Sequence, residues 1–155
     1  MAEGWRRFRT GRAILDWGFW IEEPAVDEET FKRRTRLLGL RVIALSRAMR
    51  RDLASDVIAR QVVRSANSVG ANYRSACRAK STADMLAKLA IVEEEADETV
   101  HWLEVLRDSR SIPEEAANPL IAEANEITAM TVASIKTLRL RSRAIQNPKS
   151  KIQNA

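Results

Sequence analysis

The sequence contains few of the residues that break helices or cross-link chains. Its 155 residues include five glycines, four prolines and 5% aromatic residues, a composition that favours helices over a β-sandwich or barrel. The single cysteine excludes an intrachain disulfide and a multi-thiolate metal site, and it fits a reducing compartment, so we expect a cytoplasmic protein. The longest apolar run near the N-terminus, AILDWGFWI at 13–21, is too short for a membrane span and lacks a signal-peptide cleavage site. We therefore expect one all-α domain with no membrane span.

The charge of the chain is unevenly distributed. The net charge is +5, but residues 27–80 carry thirteen basic and five acidic residues, whereas residues 81–112 carry three and eight. Arginine outnumbers lysine twenty to six, a bias that suits contacts with phosphate. Charge pairing between helices or subunits is as available as nucleic-acid binding.

Apolar residues recur at steps of three and four, which predicts four amphipathic helices. The first runs over 28–52 from an acidic start at Asp27, the second ends near Lys80, and the third is capped by Ser81. The fourth starts with Asn118 as its N-cap and Pro119 in its first turn. The predicted core positions are Phe31, Thr35, Leu38, Val42, Leu45 and Met49 in the first helix, Ile58, Val62, Ser65, Val69, Asn72, Ala76 and Ala79 in the second, Met85, Leu89, Val92, Ala96, Thr99, Leu103 and Leu106 in the third, and Leu120, Ala124, Ile127, Thr131, Ser134 and Leu138 in the fourth.

Four such helices with short connections predict an all-α, up-down-up-down antiparallel four-helix bundle over 27–143. We expect residues 1–26, rich in tryptophan and arginine, to form a peripheral extension, and residues 144–155 to form a disordered, flexible tail. Leu37 and Leu40 widen the apolar stripe of the first helix. They belong either to the core or to a second contact surface for oligomerisation.

Catalytic and metal chemistry find little support in the residues. Glu98 and His101 form one Glu-x-x-His motif of the di-iron type, but His101 is the only histidine and both residues fall opposite the core. Cys77 has no nearby histidine base, so a small buried thiol is the more common explanation. The acidic cluster at 93–98 spreads round its helix and favours pairing with arginines of the first two helices. We expect no enzyme, no cofactor and no metal.

The basic surface of the second helix is the best candidate site. Arg64, Asn67, Arg74 and Arg78 lie within about 40° of Arg60 on a helical wheel, opposite the core. Such a stripe can bind a phosphate backbone by charge, although any soluble helix has a charged outer face. The candidate nucleic-acid-binding residues are Arg60, Arg64, Arg74 and Arg78 together with Arg33 and Arg34, and the first helix also carries Lys32, Arg36, Arg47, Arg50 and Arg51.

Small residues in the second helix form a candidate helix-packing strip. Gly70 costs roughly 1 kcal/mol relative to alanine inside a helix, so close approach of another helix explains its presence. Asn72 at a core-facing position needs a hydrogen-bond partner, either a carboxylate of the third helix or a backbone carbonyl. The strip comprises Ser65, Ala66, Gly70, Asn72 and Cys77.

Three segments resemble the four helix bundle protein family, also called the 23S ribosomal RNA intervening-sequence protein family. They are the R-S-x-x-S-V-G-A-N-x-R-x-A run (64–76), the K-L-x-I-V-E-E-E-A-D-E run (88–98) and the W-L-E-x-L run ending at Leu106. The resemblance covers roughly residues 28–140. It implies a four-helix subunit that assembles into a homopentamer without known enzymatic activity.

A more distant resemblance, to the accessory protein of diversity-generating retroelements, implies a basic barrel that binds nucleic acid and a reverse transcriptase. The tryptophan-rich start and the repeat-like tail depart from the family pattern and inherit no role. The alternative is a protein-interaction scaffold or accessory subunit that has no site for a polyanion. In this alternative, the charged faces pair between subunits.

Overall fold

Four helices make up the part of the chain that the computed structural model describes, residues 27–146, with side chains through Arg143. They are α1 (Glu28–Ala48), α2 (Leu53–Ala76), α3 (Thr82–Asp108) and α4 (Glu114–Gln146). Consecutive helices pack against each other, and α1 also contacts α4, which closes the bundle. The predicted four-helix fold is confirmed. Residues 1–26 and 147–155, which include the predicted extension and most of the predicted tail, lie outside the described residues.

Short polar side chains start three of the helices, because the first backbone N–H groups of a helix have no partner inside it. Asp27 Oδ1 accepts hydrogen bonds from the amides of Glu29 and Thr30, both at 3.0 Å. Asp52 caps α2 in the same way, and Ser81 Oγ accepts from the amide of Asp84 at 3.1 Å. The predicted starts at Asp27 and Ser81 are confirmed.

Two predicted helix boundaries are wrong. The first helix ends at Ala48 rather than 52, because Asp52 is the N-cap of α2 and the chain turns at the buried Met49. The fourth begins at Glu114, where the Pro113 carbonyl accepts the first amide hydrogen bonds, so Asn118 is not its N-cap. Pro119 lies inside α4 at the cost of one backbone hydrogen bond.

The core is a continuous apolar cluster contributed by all four helices. Leu38, Val42, Leu89, Leu103 and Ile127 are among its fully buried side chains, and each contributes roughly 1.5–3 kcal/mol relative to exposure. The predicted stripes are therefore confirmed for most positions. Seven of the predicted core residues are only half-buried, namely Leu45, Ile58, Asn72, Ala79, Met85, Ser134 and Leu138.

Tyr73 is a core residue that the spacing of apolar positions did not predict. Its ring is 4% exposed and packs edge-on against Phe31, with 4.3 Å between ring centroids. Burial raises the pKa of its phenol well above the usual range. This aromatic pair fixes the start of α1 against the end of α2.

Two glycines lie in the contact between α1 and α2, and only Gly39 is at a close approach. A Cβ at Gly39 would lie 2.7 Å from Asn67 Oδ1, and one at Gly70 would lie 3.6 Å from atoms of Thr35. Gly39 therefore faces α2 near Asn67 while Gly70 faces α1 near Thr35, which fixes an antiparallel register. Among the described residues, no helix is long and apolar enough to cross a membrane.

Candidate nucleic-acid interface

Three of the predicted arginines are exposed, and their side chains have no ion pair or hydrogen bond within residues 27–146. They are Arg60 and Arg74 on α2 and Arg78 in the turn that follows it; Arg60 and Arg74 lie ten and four residues from Gly70, on the side of α2 that leans toward α1. Arg33 on α1 is likewise exposed and unpaired within the same part of the chain. Their guanidinium groups are available to a phosphate in solution.

Arg64 lies in a different environment, because it leans toward α3. It pairs with Glu98 and, at 3.2 Å, with Glu95. Trp102 Nε1 donates a second hydrogen bond to Glu98 at 2.9 Å. The hydrogen bond from Arg64, and to a smaller extent the one from Trp102, lowers the pKa of Glu98. This carboxylate therefore stays charged and compensates the charge of Arg64. The expected pairing of the acidic cluster with arginines is confirmed for Arg64.

Arg34 also forms ion pairs within the chain, with two glutamates of α4. Its Nε lies 2.8 Å from Glu123 Oε1 and its Nη2 2.9 Å from Oε2, a two-pronged contact with α4. Glu126 adds a third bond, and the side chain is 23% exposed. The hydrogen bonds that Arg34 donates to Glu123 raise the pKa of Arg34 further above its already high value. Arg34 therefore links α1 to α4, and its charge is compensated.

Two arginines of α1 lie beside the unpaired arginines of α2. Arg36 and Arg47 are three and eight residues from Gly39, so they share the side of α1 that faces α2. Both are exposed and have no ion pair within residues 27–146. The sequence showed that α1 is basic but not which of its arginines meet those of α2. We call the set Arg36, Arg47, Arg60, Arg74 and Arg78 the basic face.

Charge separates the two halves of the bundle. Residues 27–78, which contain α1 and α2, carry twelve basic and five acidic residues, a net charge of +7. Residues 81–143, which contain α3 and α4, carry seven basic and twelve acidic residues, a net charge of −5. The basic face therefore lies on the cationic half, and an approaching polyanion meets this half first.

The predicted packing strip is divided between two neighbours. Ala66 is fully buried near Gly39 and Gly70 faces Thr35, so these two residues contact α1. Ser65 Oγ instead lies 3.0 Å from Thr99 Oγ1 on α3. Gly70 leaves room for a methyl group, whereas the tightest approach is at Gly39, which no sequence feature singled out.

Asn72 and Cys77 complete this strip. Asn72 Nδ2 donates to the carbonyl and to the hydroxyl of Ser68, both at 3.0 Å, so its partner is a backbone carbonyl of its own helix. Cys77 is half-buried, and burial raises the pKa of its thiol to about 11. The thiol is therefore protonated at neutral pH, which makes it a poor nucleophile.

The histidine and the acidic cluster lie at the outer surface of α3. His101 is exposed and its ring packs edge-on against Trp102, with 4.7 Å between centroids. Within residues 27–146, no three His, Cys, Asp or Glu side chains are grouped closely enough to hold a metal ion.

The sequence profile of the family described as "23S rRNA-intervening sequence protein" matches residues 29–133. The chain belongs to this family. The match runs from the first turn of α1 through all of α2 and α3, so every residue of the basic face lies within the family region. A search of curated proteins finds no match.

A solved structure supports the assignment to the 23S rRNA-intervening sequence protein family. It is described as the crystal structure of a protein with unknown function from the S23 ribosomal protein family of Bacteroides thetaiotaomicron VPI-5482. The two chains are 31% identical, with a TM-score of 0.63, over 70% of this chain and 97% of the other. The similarity spans nearly the whole of the other protein.

Proposed function

We propose that this member of the 23S rRNA-intervening sequence protein family is a non-enzymatic, homo-oligomeric cytoplasmic protein that binds the phosphate backbone of RNA or DNA through its basic face. The observation that carries the proposal is the set of exposed arginines on α1 and α2 that have no partner within residues 27–146. Arg34 and Arg64, whose charges are compensated, have a structural role in this proposal.

The chemistry of this face favours backbone contact over base recognition. Guanidinium groups form two-pronged hydrogen bonds with phosphate, and each neutralised phosphate releases counterions. The five arginines line the outer side of the α1–α2 pair, where Gly39 allows a close approach of the two helices. Affinity is therefore expected to fall steeply with salt and to depend little on base sequence.

Exposed apolar residues on two opposite sides of the bundle support self-association. Leu37, 46% exposed, lies three residues from Arg34 on the α4 side of α1, and Leu40 beside it is 49% exposed. Val57 is 50% exposed, one heptad from Arg64 on the α3 side of α2. Different exposed apolar residues on the two sides suit head-to-tail contacts, which close into rings when the rotation between subunits allows it. The pentamer implied by the sequence resemblance is one such ring.

A triple variant tests the proposal. Changing Arg60, Arg74 and Arg78 to glutamine removes three charges from the basic face, and changing Lys136, Arg139 and Arg143 to glutamine removes the same charge from exposed positions of α4. For a labelled 20-nucleotide RNA, the first variant is expected to make the fall of log affinity with log salt less steep, by about 2–3 in the slope. The α4 variant is expected to change it by less than about 1.

Light scattering on both variants separates this proposal from the scaffold alternative. Unchanged subunit number together with lost RNA binding supports a nucleic-acid interface. If the variant of Arg60, Arg74 and Arg78 dissociates the oligomer and the α4 variant does not, the result would instead support a scaffold in which these arginines pair between subunits. Equal salt slopes for the α2 variant, the α4 variant and the unmodified protein would contradict the proposed interface.

A further inference from the structure

A cleft opens between the C-terminal half of α1 and the first turns of α2. Its volume is about 210 Å³, smaller than the roughly 300–1,000 Å³ typical of pockets for drug-sized ligands. Ala59 and Val63 supply its apolar lining. The polar residues that line it are Ser46, Arg51, Asp56 and Arg60.

Asp56 positions the guanidinium of Arg51 at this cleft. Arg51 Nε lies 2.7 Å from Asp56 Oδ1, and Arg51 Nη2 lies 3.2 Å from Oδ2. This contact occupies one edge of the guanidinium and leaves Nη1 without a partner among the described residues. Arg60 lines the same cleft and has no partner within residues 27–146.

The charge of the cleft matches a single phosphodiester. Arg51, Asp56 and Arg60 sum to a net charge of +1, whereas each backbone phosphate of a nucleic acid carries one negative charge. Two guanidinium groups with free N–H donors can bind different oxygens of one phosphate. Ala59 and Val63 provide an apolar wall beside such a contact.

We propose that this cleft is an anchor site for one phosphate group, held between Arg51 Nη1 and Arg60, with Asp56 as the residue that positions Arg51. The proposal rests on the proposed function, because it assigns the cleft to one phosphate of the bound backbone. The other arginines of the basic face then make exposed contacts with flanking phosphates. Binding begins at a defined point rather than anywhere on a uniformly charged surface.

Nuclear magnetic resonance of the arginine Nε–Hε signals of the full chain tests this site. The first titration uses inorganic phosphate against chloride at equal ionic strength, and the second uses a 12-nucleotide single-stranded RNA. The signals of Arg51 and Arg60 are expected to shift and saturate with phosphate, and to respond to RNA at a lower concentration. Arg60→Gln is expected to weaken phosphate binding at least about tenfold, because it removes a hydrogen-bonding charge. The matched variant Arg74→Gln is expected to leave it unchanged.

The two titrations distinguish failure of the cleft from failure of the proposed function. If RNA shifts all exposed arginine signals to the same extent and phosphate gives no saturable shift, the anchor site is overturned while nucleic-acid binding stands. If phosphate saturates Arg51 and Arg60 but RNA shifts neither, the cleft binds free phosphate only and the anchor site is overturned. If RNA shifts no arginine signal at all, the proposed function is overturned as well. An equal loss in Arg60→Gln and Arg74→Gln would also overturn the anchor.

Discussion

The two glycines of the α1–α2 contact should respond differently to alanine. At Gly70 a new Cβ would meet Thr35 at 3.6 Å, an ordinary contact distance. Alanine inside a helix is roughly 0.5–1 kcal/mol more favourable than glycine. Gly70→Ala is therefore expected to raise the free energy of unfolding by about 0.5–1 kcal/mol.

At Gly39 the same gain is opposed by a steric conflict. A new Cβ would lie 2.7 Å from Asn67 Oδ1, so the amide must rotate away. This rotation breaks the 2.7 Å hydrogen bond from Asn67 Nδ2 to the Val63 carbonyl. A hydrogen bond of this kind stabilises the fold by about 0.5–1.5 kcal/mol. Gain and loss nearly cancel, and Gly39→Ala is expected to change the stability by less than about 0.5 kcal/mol.

A double-mutant cycle isolates this conflict. In an Asn67→Ala background the obstacle is gone, so Gly39→Ala should then stabilise by about 0.5–1 kcal/mol. Urea unfolding followed by circular dichroism measures all four proteins at one protein concentration, because the apparent stability of an oligomer depends on its concentration. A Gly70→Ala protein less stable than the unmodified one, or the same effect of Gly39→Ala in both backgrounds, would refute the geometry.

Three further predictions concern single residues. Arg110 has φ 60°, the left-handed region, so Arg110→Gly is expected to stabilise the fold by about 1 kcal/mol in urea unfolding; no gain would mean that this backbone is unstrained. Arg34→Ala is expected to cost about 1.5–3 kcal/mol because it unpairs Glu123, whereas Arg33→Ala should cost less than about 0.5 kcal/mol; equal costs would contradict the α1–α4 link. Because burial raises the pKa of Cys77 to about 11, its iodoacetamide alkylation rate should keep rising with pH to that value, and a plateau below pH 9 would disagree.

Features governed by neighbouring residues were predictable from the sequence. Asp27 and Ser81 cap helices through bonds that reach only two or three residues along the chain. The start of α4 was misplaced because two prolines compete, and Pro113 followed by two glutamates provides the better start than Asn118 and Pro119. The apolar stripes were predictable because burial imposes the helical period.

Features governed by register between helices were not predictable. The acidic cluster predicted ion pairs with arginines of the first two helices but not that Arg64 would make them. Nothing predicted that Arg34 would meet Glu123 and Glu126, 89 and 92 positions away along the chain. Tyr73 has both an apolar ring and a polar hydroxyl, so its burial depends on Phe31 being opposite. The cleft at Arg51 and Arg60 likewise exists only because the end of α1 lies beside the start of α2.

Of the four pairs of adjacent helices, α1 and α4 pack against each other least. Arg34 links these two helices through its ion pairs with Glu123 and Glu126. The first helix therefore depends mainly on α2 for its attachment. Under native conditions α1 is the element expected to detach first as a unit, so its amides should exchange with solvent deuterium before those of α3. Salt weakens the Arg34 pairs, which makes this opening sensitive to ionic strength even where the global stability is not.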